Sequence, residues 1–237
     1  MFNPNLLSPI QVPRSIELAG NAKLVTILDL DEMVFNTVAK HVRILRLAAR
    51  MSHAEENRLP TLDDTLKSGG TKAFKTAGWK NYDQVNEVMR NSPHFNHHIP
   101  LIDENTPAIL AQAAKAGFPT IMYLTTRPQS VEPVTQTDLA RLNLPDVPVL
   151  ARPDHIDLSQ TTEWKLKTLI TVADRIPGTV VMVDDSISLI RAISEKSHPK
   201  LRSLLFQGPI TPTEHAETST TWPTFIQSLH QIAASIS

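Results

Sequence analysis

The stretch Lys23-Leu-Val-Thr-Ile-Leu-Asp-Leu-Asp-Glu-Met-Val-Phe35 decides how the rest of the chain is read. An apolar, β-branched run delivers two carboxylates, Asp29 and Asp31, where the run ends, which is how a buried parallel strand presents acids at its carboxyl end. In an extended backbone, residues two apart share a face, so both acids are aimed into one small space. Like charges there raise each other's proton affinity unless a cation stands between them. A strand followed by an Asx-rich turn would give the same pattern without chemistry, and what separates the two readings lies downstream.

Two later strands end the same way. Pro119-Thr-Ile-Met-Tyr-Leu124 runs into Thr125, Thr126, Arg127 and Pro128, and Thr179-Val-Val-Met-Val183 runs into Asp184 and Asp185. Between and after them the apolar spacing predicts helices over 109–115, 134–142, 162–173, 187–193 and 223–236 and strands over 147–151 and 201–206. Thr106 is expected as an N-cap, Pro107 as the first helical residue and Gly117 as the stop. The alternation predicts an α/β fold, a doubly wound, mostly parallel sheet. Right-handed crossovers then bring the strand ends to one crevice.

Residues 36–103 break this rhythm. An amphipathic pattern with Val38, Val42, Leu45, Ala48 and Ala49 continues from Phe35, and short helices are expected over 62–66, 71–77 and 82–89. No strand pattern occurs, and Gly69-Gly70 reads as a loop. The expected division is a core of 1–35 and 104–237 with a helical insertion over 36–103. His94, His97 and His98 lie in it, without regular spacing and with no cysteine or patterned carboxylate beside them to complete a metal shell.

The composition, 41% apolar and 20% charged over 237 residues, is that of an ordinary globular chain with a sizeable core. A formal net charge of -1 offers no general attraction to nucleic acid or anionic membrane, so an anionic substrate must be held by local groups. The absence of cysteine removes disulfides, thiolate metal sites and cysteine nucleophiles. No stretch is apolar enough to span a bilayer. Residues 1–22, with Pro4, Pro9 and Pro13, read as an irregular arm without the features of a signal peptide, so a cytoplasmic location is expected.

Asp29, Asp31, Asp184 and Asp185 around one point are costly unless they bind a hard cation, and oxygen-only ligands suit Mg²⁺. The bland alternative, that Asp184 and Asp185 only cap the following helix, stays open on the residues alone. A metal site with a hydroxyl, a lysine and an arginine nearby suits phosphate. One aspartate would attack phosphorus while a second donates a proton to the leaving oxygen and then activates water.

In this order and at these spacings the motifs resemble those of the haloacid dehalogenase-like superfamily. Asp29-Leu-Asp31 is similar to its first motif, Leu124-Thr125 to its second, Lys165 to its third, and Val183-Asp184-Asp185-Ser186 to its fourth. The resemblance covers residues 23–206, and the insertion sits where that family commonly places a cap. It implies that Asp29 is the nucleophile and a Mg²⁺ ligand, and Asp31 the acid/base and a ligand through its carbonyl. Thr125 is then the phosphoryl hydrogen-bond donor and Lys165 the neutralising cation, with Asp185 a direct ligand and Asp184 a direct or water-mediated one. Thr126 and Arg127 are substrate-binding candidates, with pairing to a nearby carboxylate the alternative for Arg127. Lys165 and Lys167 stand about 200° apart on a helix, so only one can face the cleft, and Glu163-Trp164 before it favours Lys165.

Glu32 and Met33 depart from the small residue, and the Thr or Val after it, usual there. The second aspartate, Asp31, points to a phosphatase rather than a dehalogenase. The resulting expectation is a Mg²⁺-dependent phosphatase acting on a small phosphorylated metabolite, with a catalytically weak phosphate-binding or regulatory protein as the alternative. A phospho-accepting receiver domain fits less well, because its acidic pair follows the first strand and it has no long insertion.

Overall fold

In the computed structural model, residues 22–37, 40, 91–208 and 219–236 are described. The arm over 1–22, apart from Ala22, and most of the expected insertion helices lie outside them. Six strands, β1 (Leu24–Leu28), β2 (Thr120–Pro128), β3 (Val149–Arg152), β4 (Thr179–Asp184), β5 (Leu201–Phe206) and β6 (Ser219–Thr220), form one sheet in the order β3-β2-β1-β4-β5-β6. Every pairing is parallel. The helices are α1 (Thr106–Lys115), α2 (Glu132–Arg141), α3 (Thr161–Arg175), α4 (Ile187–Lys196) and α5 (Phe225–Ser235).

A central parallel strand is covered on both faces, and β1, Leu-Val-Thr-Ile-Leu, is buried along its whole length. Alternation divides its side chains. Leu24 and Leu28, with Tyr123, Val181 and Val183, pack with Leu110 of α1, Leu139 of α2 and Leu229 of α5. Val25 and Ile27, with Met122, Leu124, Val180 and Met182, pack with Leu169 and Val172 of α3 and Leu189 of α4. Burying each such branched side chain is worth about 1.5–3 kcal/mol, so the two layers fix the strand register. Thr26, the polar residue inside β1, donates from Oγ1 to Thr120 Oγ1 at 3.2 Å.

The order of strands reverses beside β1, where β2 and β3 run to one side and β4 to β6 to the other. Ligands of such sheets bind outside the carboxyl ends at this switch point. The expected strands and helices of the core are present, with shifts at their ends. β2 continues through Thr125, Thr126 and Arg127 instead of stopping before them. Thr106 is the first residue of α1, not its cap. Its Oγ1 donates to Asp103 O at 2.6 Å, and the Asp103 carboxylate accepts from Asn105 N at 2.8 Å. Gly117, at φ 91, follows α1 as expected. The two-residue β6 is too short for a sequence pattern to reveal.

The segments 34–36 and 100–102, far apart in the chain, lie side by side. Asn36 N donates to Pro100 O at 2.8 Å and Ile102 N to Val34 O at 3.0 Å, and Phe35 bridges Leu101. Ile99 is buried in the core. Met33 is wholly buried there too, and its carbonyl accepts from Trp222 Nε1 at 3.0 Å, so its side chain fills the core.

Candidate active site

Alternation along β1 and β4 places the key acids. Asp29 continues the face of Val25 and Ile27, and Asp184 that of Val180 and Met182, so both look toward α3. On α3, Lys165 belongs to the stripe of Thr168, Leu169 and Val172, buried at helical spacing. The lysine thus comes down on the sheet between the two strand ends. Its Nζ donates to Asp29 Oδ1 at 2.8 Å and to Asp184 Oδ2 at 2.7 Å. Lys167 instead meets Glu163 at 2.8 Å on the solvent face.

Asp184 does two things at once. Besides Lys165 it accepts from Ser186 N at 2.8 Å through Oδ1, and Ser186 caps α4 by accepting from Leu189 N. The cap of α4 is thus Ser186 rather than either acid, and Asp184 supports it from outside the helix while joining the cluster. Asp185 is less buried, and one carboxylate oxygen from each of Asp29, Asp184 and Asp185 lies within 4.8 Å of the others. Burial, then the charges of neighbouring carboxylates, push the Asp29 carboxyl up to about 7 against the pull of Lys165. The same causes hold Asp185 well above the usual carboxylate range. Burial disfavours charge on Lys165, but attraction to Asp184 and Asp29 outweighs it and the ammonium is held above its ordinary range.

β2 contributes on the opposite face. Tyr123, Thr125 and Arg127 alternate toward α2, and Arg127 is 1% exposed although it is an arginine. Its Nε and Nη2 donate to Asp31 Oδ1 at 2.9 and 2.6 Å, and Nη1 donates to Thr135 Oγ1 at 3.2 Å. The guanidinium lies 4.6 Å above the Phe35 ring. Thr125 is fully buried, its Oγ1 accepting from Arg127 N at 3.2 Å. Thr126 is partly buried, and its carbonyl accepts from Arg152 Nε at 3.2 Å. Arg152, buried at the end of β3, was not among the expected residues, although an arginine closing a strand is the same signal as Arg127.

Glu32 holds a left-handed backbone at φ 61, a conformation that glycine adopts without strain. Its side chain is buried. One oxygen accepts from Thr37 Oγ1, and Oε2 has no hydrogen-bond partner. Burial is the main cause that pushes this carboxyl up to about 7.

No family model matches the chain, and no curated protein matches it in sequence. Solved structures do match it. A candidate phosphatase from Clostridium difficile aligns at TM-score 0.52 and 15% identity over 83% of this chain and 92% of that one. A haloacid dehalogenase-like family hydrolase from Streptococcus pneumoniae aligns at 0.51 and 11% identity over 83% and 91%. The chain has the haloacid dehalogenase-like fold. A candidate hydrolase of that kind from Bacteroides fragilis aligns at 0.50 and 14% identity over 83% and 94%. At these identities the likeness concerns architecture, and chemistry rests on the side chains of this cleft.

The oxygen donors suit a hard cation: among the described residues three carboxylates converge on one point and the Lys165 ammonium meets two of them. Among the described residues no helix is long and apolar enough to cross a membrane.

Proposed function

We propose that this protein is a Mg²⁺-dependent phosphomonoester hydrolase that works through an aspartyl-phosphate on Asp29, with a small phosphorylated metabolite as substrate and a cytoplasmic setting. The observation that carries the reading is Lys165 bridging Asp29 and Asp184 at 2.8 and 2.7 Å at the switch point, with Asp185 alongside. Asp29 and Asp185 would hold the cation by side-chain oxygens, Asp31 by its carbonyl, and Asp184 directly or through water. When bound, Mg²⁺ supplies charge neutralisation to the phosphoryl oxygens and to the acids.

In the first step an Asp29 oxygen forms a bond to phosphorus, the ester P–O bond breaks, and Asp31 gives its proton to the departing oxygen. In the second, water attacks phosphorus, its proton passes to Asp31, and inorganic phosphate leaves with Asp29 restored. Lys165 offsets charge on the nucleophile and phosphoryl group, while Thr125 and Thr126 serve the phosphoryl oxygens. The contacts of Arg127 favour its pairing alternative: by gripping Oδ1 it orients Asp31 for proton transfer. The insertion over 36–103 would act as a helical cap, closing over the cleft and selecting the substrate, and its two ends meeting at Asn36 and Pro100 support that hinge.

A phosphatase screen over common phosphometabolites, with and without Mg²⁺, tests this. Hydrolysis should require Mg²⁺, and Asp31→Asn should accumulate phospho-enzyme from an activated ester because water attack is slowed. A wild type that hydrolyses nothing would instead favour the catalytically weak phosphate-binding reading. Glu32 speaks for that second reading, since a buried carboxylate with an unpartnered oxygen beside the acids opposes an incoming phosphate.

A further inference from the structure

The sequence leaves three histidines of the insertion without a partner for metal chemistry, and the fold brings a carboxylate to two of them. His97 and His98 follow the 3-10 turn Pro93–Asn96, and one ring nitrogen of each lies within 4.8 Å of the other and of an Asp138 carboxylate oxygen on α2. Adjacent side chains ordinarily diverge. Here His98 adopts φ 56, and the two rings stand on the same side with centroids 3.8 Å apart. His94 is not part of the group and packs edge-on against Phe95.

Asp138 is the anchor. It is wholly buried, accepting from Ile99 N at 3.3 Å through Oδ2 and from Arg141 Nε at 3.2 Å through Oδ1. A carboxylate has about four lone-pair sites, so two such donors leave acceptor capacity. A backbone N–H on one oxygen also fixes its orientation, the part that supporting hydrogen bonds play around bound metals. Arg141, 39% exposed, has solvent into which its guanidinium can turn. Neither histidine is buried, so a cation has an entry path.

We infer that His97, His98 and Asp138 form a second cation site, distinct in chemistry from the all-oxygen cluster at Asp29, which takes a borderline divalent transition metal of the Zn²⁺ class. Two imidazoles and one carboxylate are donors for Zn²⁺, whereas Mg²⁺ takes oxygen. Bonds of about 2.1 Å in a tetrahedral shell separate donors by roughly 3.4 Å, a contraction that small rotations of two accessible rings supply. Water completes the shell. Such a cation would tie the segment re-entering the core, just before buried Ile99, to α2.

The test is Zn²⁺ titration by calorimetry of the full chain in saturating Mg²⁺, which occupies the oxygen cluster, on wild type, His97→Ala, His98→Asn and a His94→Ala control. Asn tolerates the left-handed backbone, so His98→Asn removes the ligand and keeps the turn. One Zn²⁺ per chain should bind wild type and His94→Ala alike, and at least about tenfold more weakly to each of the other two variants. The inference is overturned if wild type takes up no Zn²⁺ under these conditions, or if either His97→Ala or His98→Asn binds it as wild type does. Neither result bears on phosphatase activity, so this site and the proposed reaction stand or fall separately.

Discussion

The two faces of the sheet beside β1 treat buried charge in opposite ways. Toward α3, one lysine at 2.8 and 2.7 Å serves Asp29 and Asp184 while Asp185 adds a third carboxylate, a formal excess of two negative charges from three acids and one ammonium. Toward α2, Arg127 meets Asp31 at 2.6 Å, one positive charge against one negative among the described residues. Charge left over in a low-dielectric cleft is costly, and charge matched there is tolerated at rough break-even. Among the described residues the first face therefore carries carboxylate charge that a bound cation would offset, and the second sets one guanidinium against one carboxylate. On the proposed mechanism, the unbalanced side holds nucleophile and metal, and the balanced side holds the proton carrier in place.

The largest expected effect separates the two aspartates. Asp29→Asn should lower Mg²⁺-dependent phosphomonoester hydrolysis by roughly a thousandfold or more, because it removes the nucleophile, while the fold persists. Steady-state rates on a substrate from the screen measure this, and near-normal turnover would remove Asp29 from its role.

Next come the two cations. Lys165→Met strands buried carboxylates and should cost about 3–5 kcal/mol in urea unfolding without metal, with part of the loss recovered in millimolar Mg²⁺. Arg127→Met should cost less, about 1–3 kcal/mol, because the Asp31 side chain is 25% exposed, and that loss should not respond to Mg²⁺. An equal Mg²⁺ response in both variants would erase the distinction between the faces.

The pH dependence sharpens it further. In the metal-free protein Asp29 is raised from 3.8 to about 7, so the folded chain binds that proton more tightly than the unfolded chain does. Stability from this group is fully present below about pH 4 and is lost as pH rises to about 7; Glu32, raised to about 7, and Asp185 act in the same sense. Melting temperatures in EDTA should fall across that window, and Mg²⁺ should flatten the fall by holding the ionised acids. A metal-free protein that gains stability across the window would contradict the charge excess.

Glu32→Gly should give the smallest change, within about 1 kcal/mol and toward greater stability. It relieves a left-handed non-glycine backbone and an unpartnered buried oxygen at the loss of one bond from Thr37. Chemical denaturation with and without Mg²⁺ measures it, and a loss above that size would show that Glu32 stabilises the turn.

Much of this was legible in the residues themselves, because periodicity is local. The apolar runs of β1, β2 and β4 place Asp29, Thr125 and Asp184 at strand ends before any tertiary contact is known, but the expectation that Asp29 and Asp31 share a face fails: β1 ends at Leu28, and Asp31 meets Arg127 toward α2 while Asp29 meets Lys165 toward α3. Lys165 was legible because it and Lys167 stand about 200° apart on one helix, with Glu163-Trp164 favouring Lys165, and the structure adds that Leu169 and Val172, four and seven residues on, share its buried stripe. What the sequence left open was settled where partners are far apart in the chain. Arg127 finds Asp31 across 96 residues, Asp138 comes to Ile99 across 39, and Trp222 reaches Met33 across 189. A side chain's own neighbours fix the face it occupies, but only the order of strands and the packing of helices on them fix which charge or carbonyl it meets. The left-handed turn at Glu32 belongs with these, since nothing in a glutamate announces a conformation that the surrounding core imposes on it.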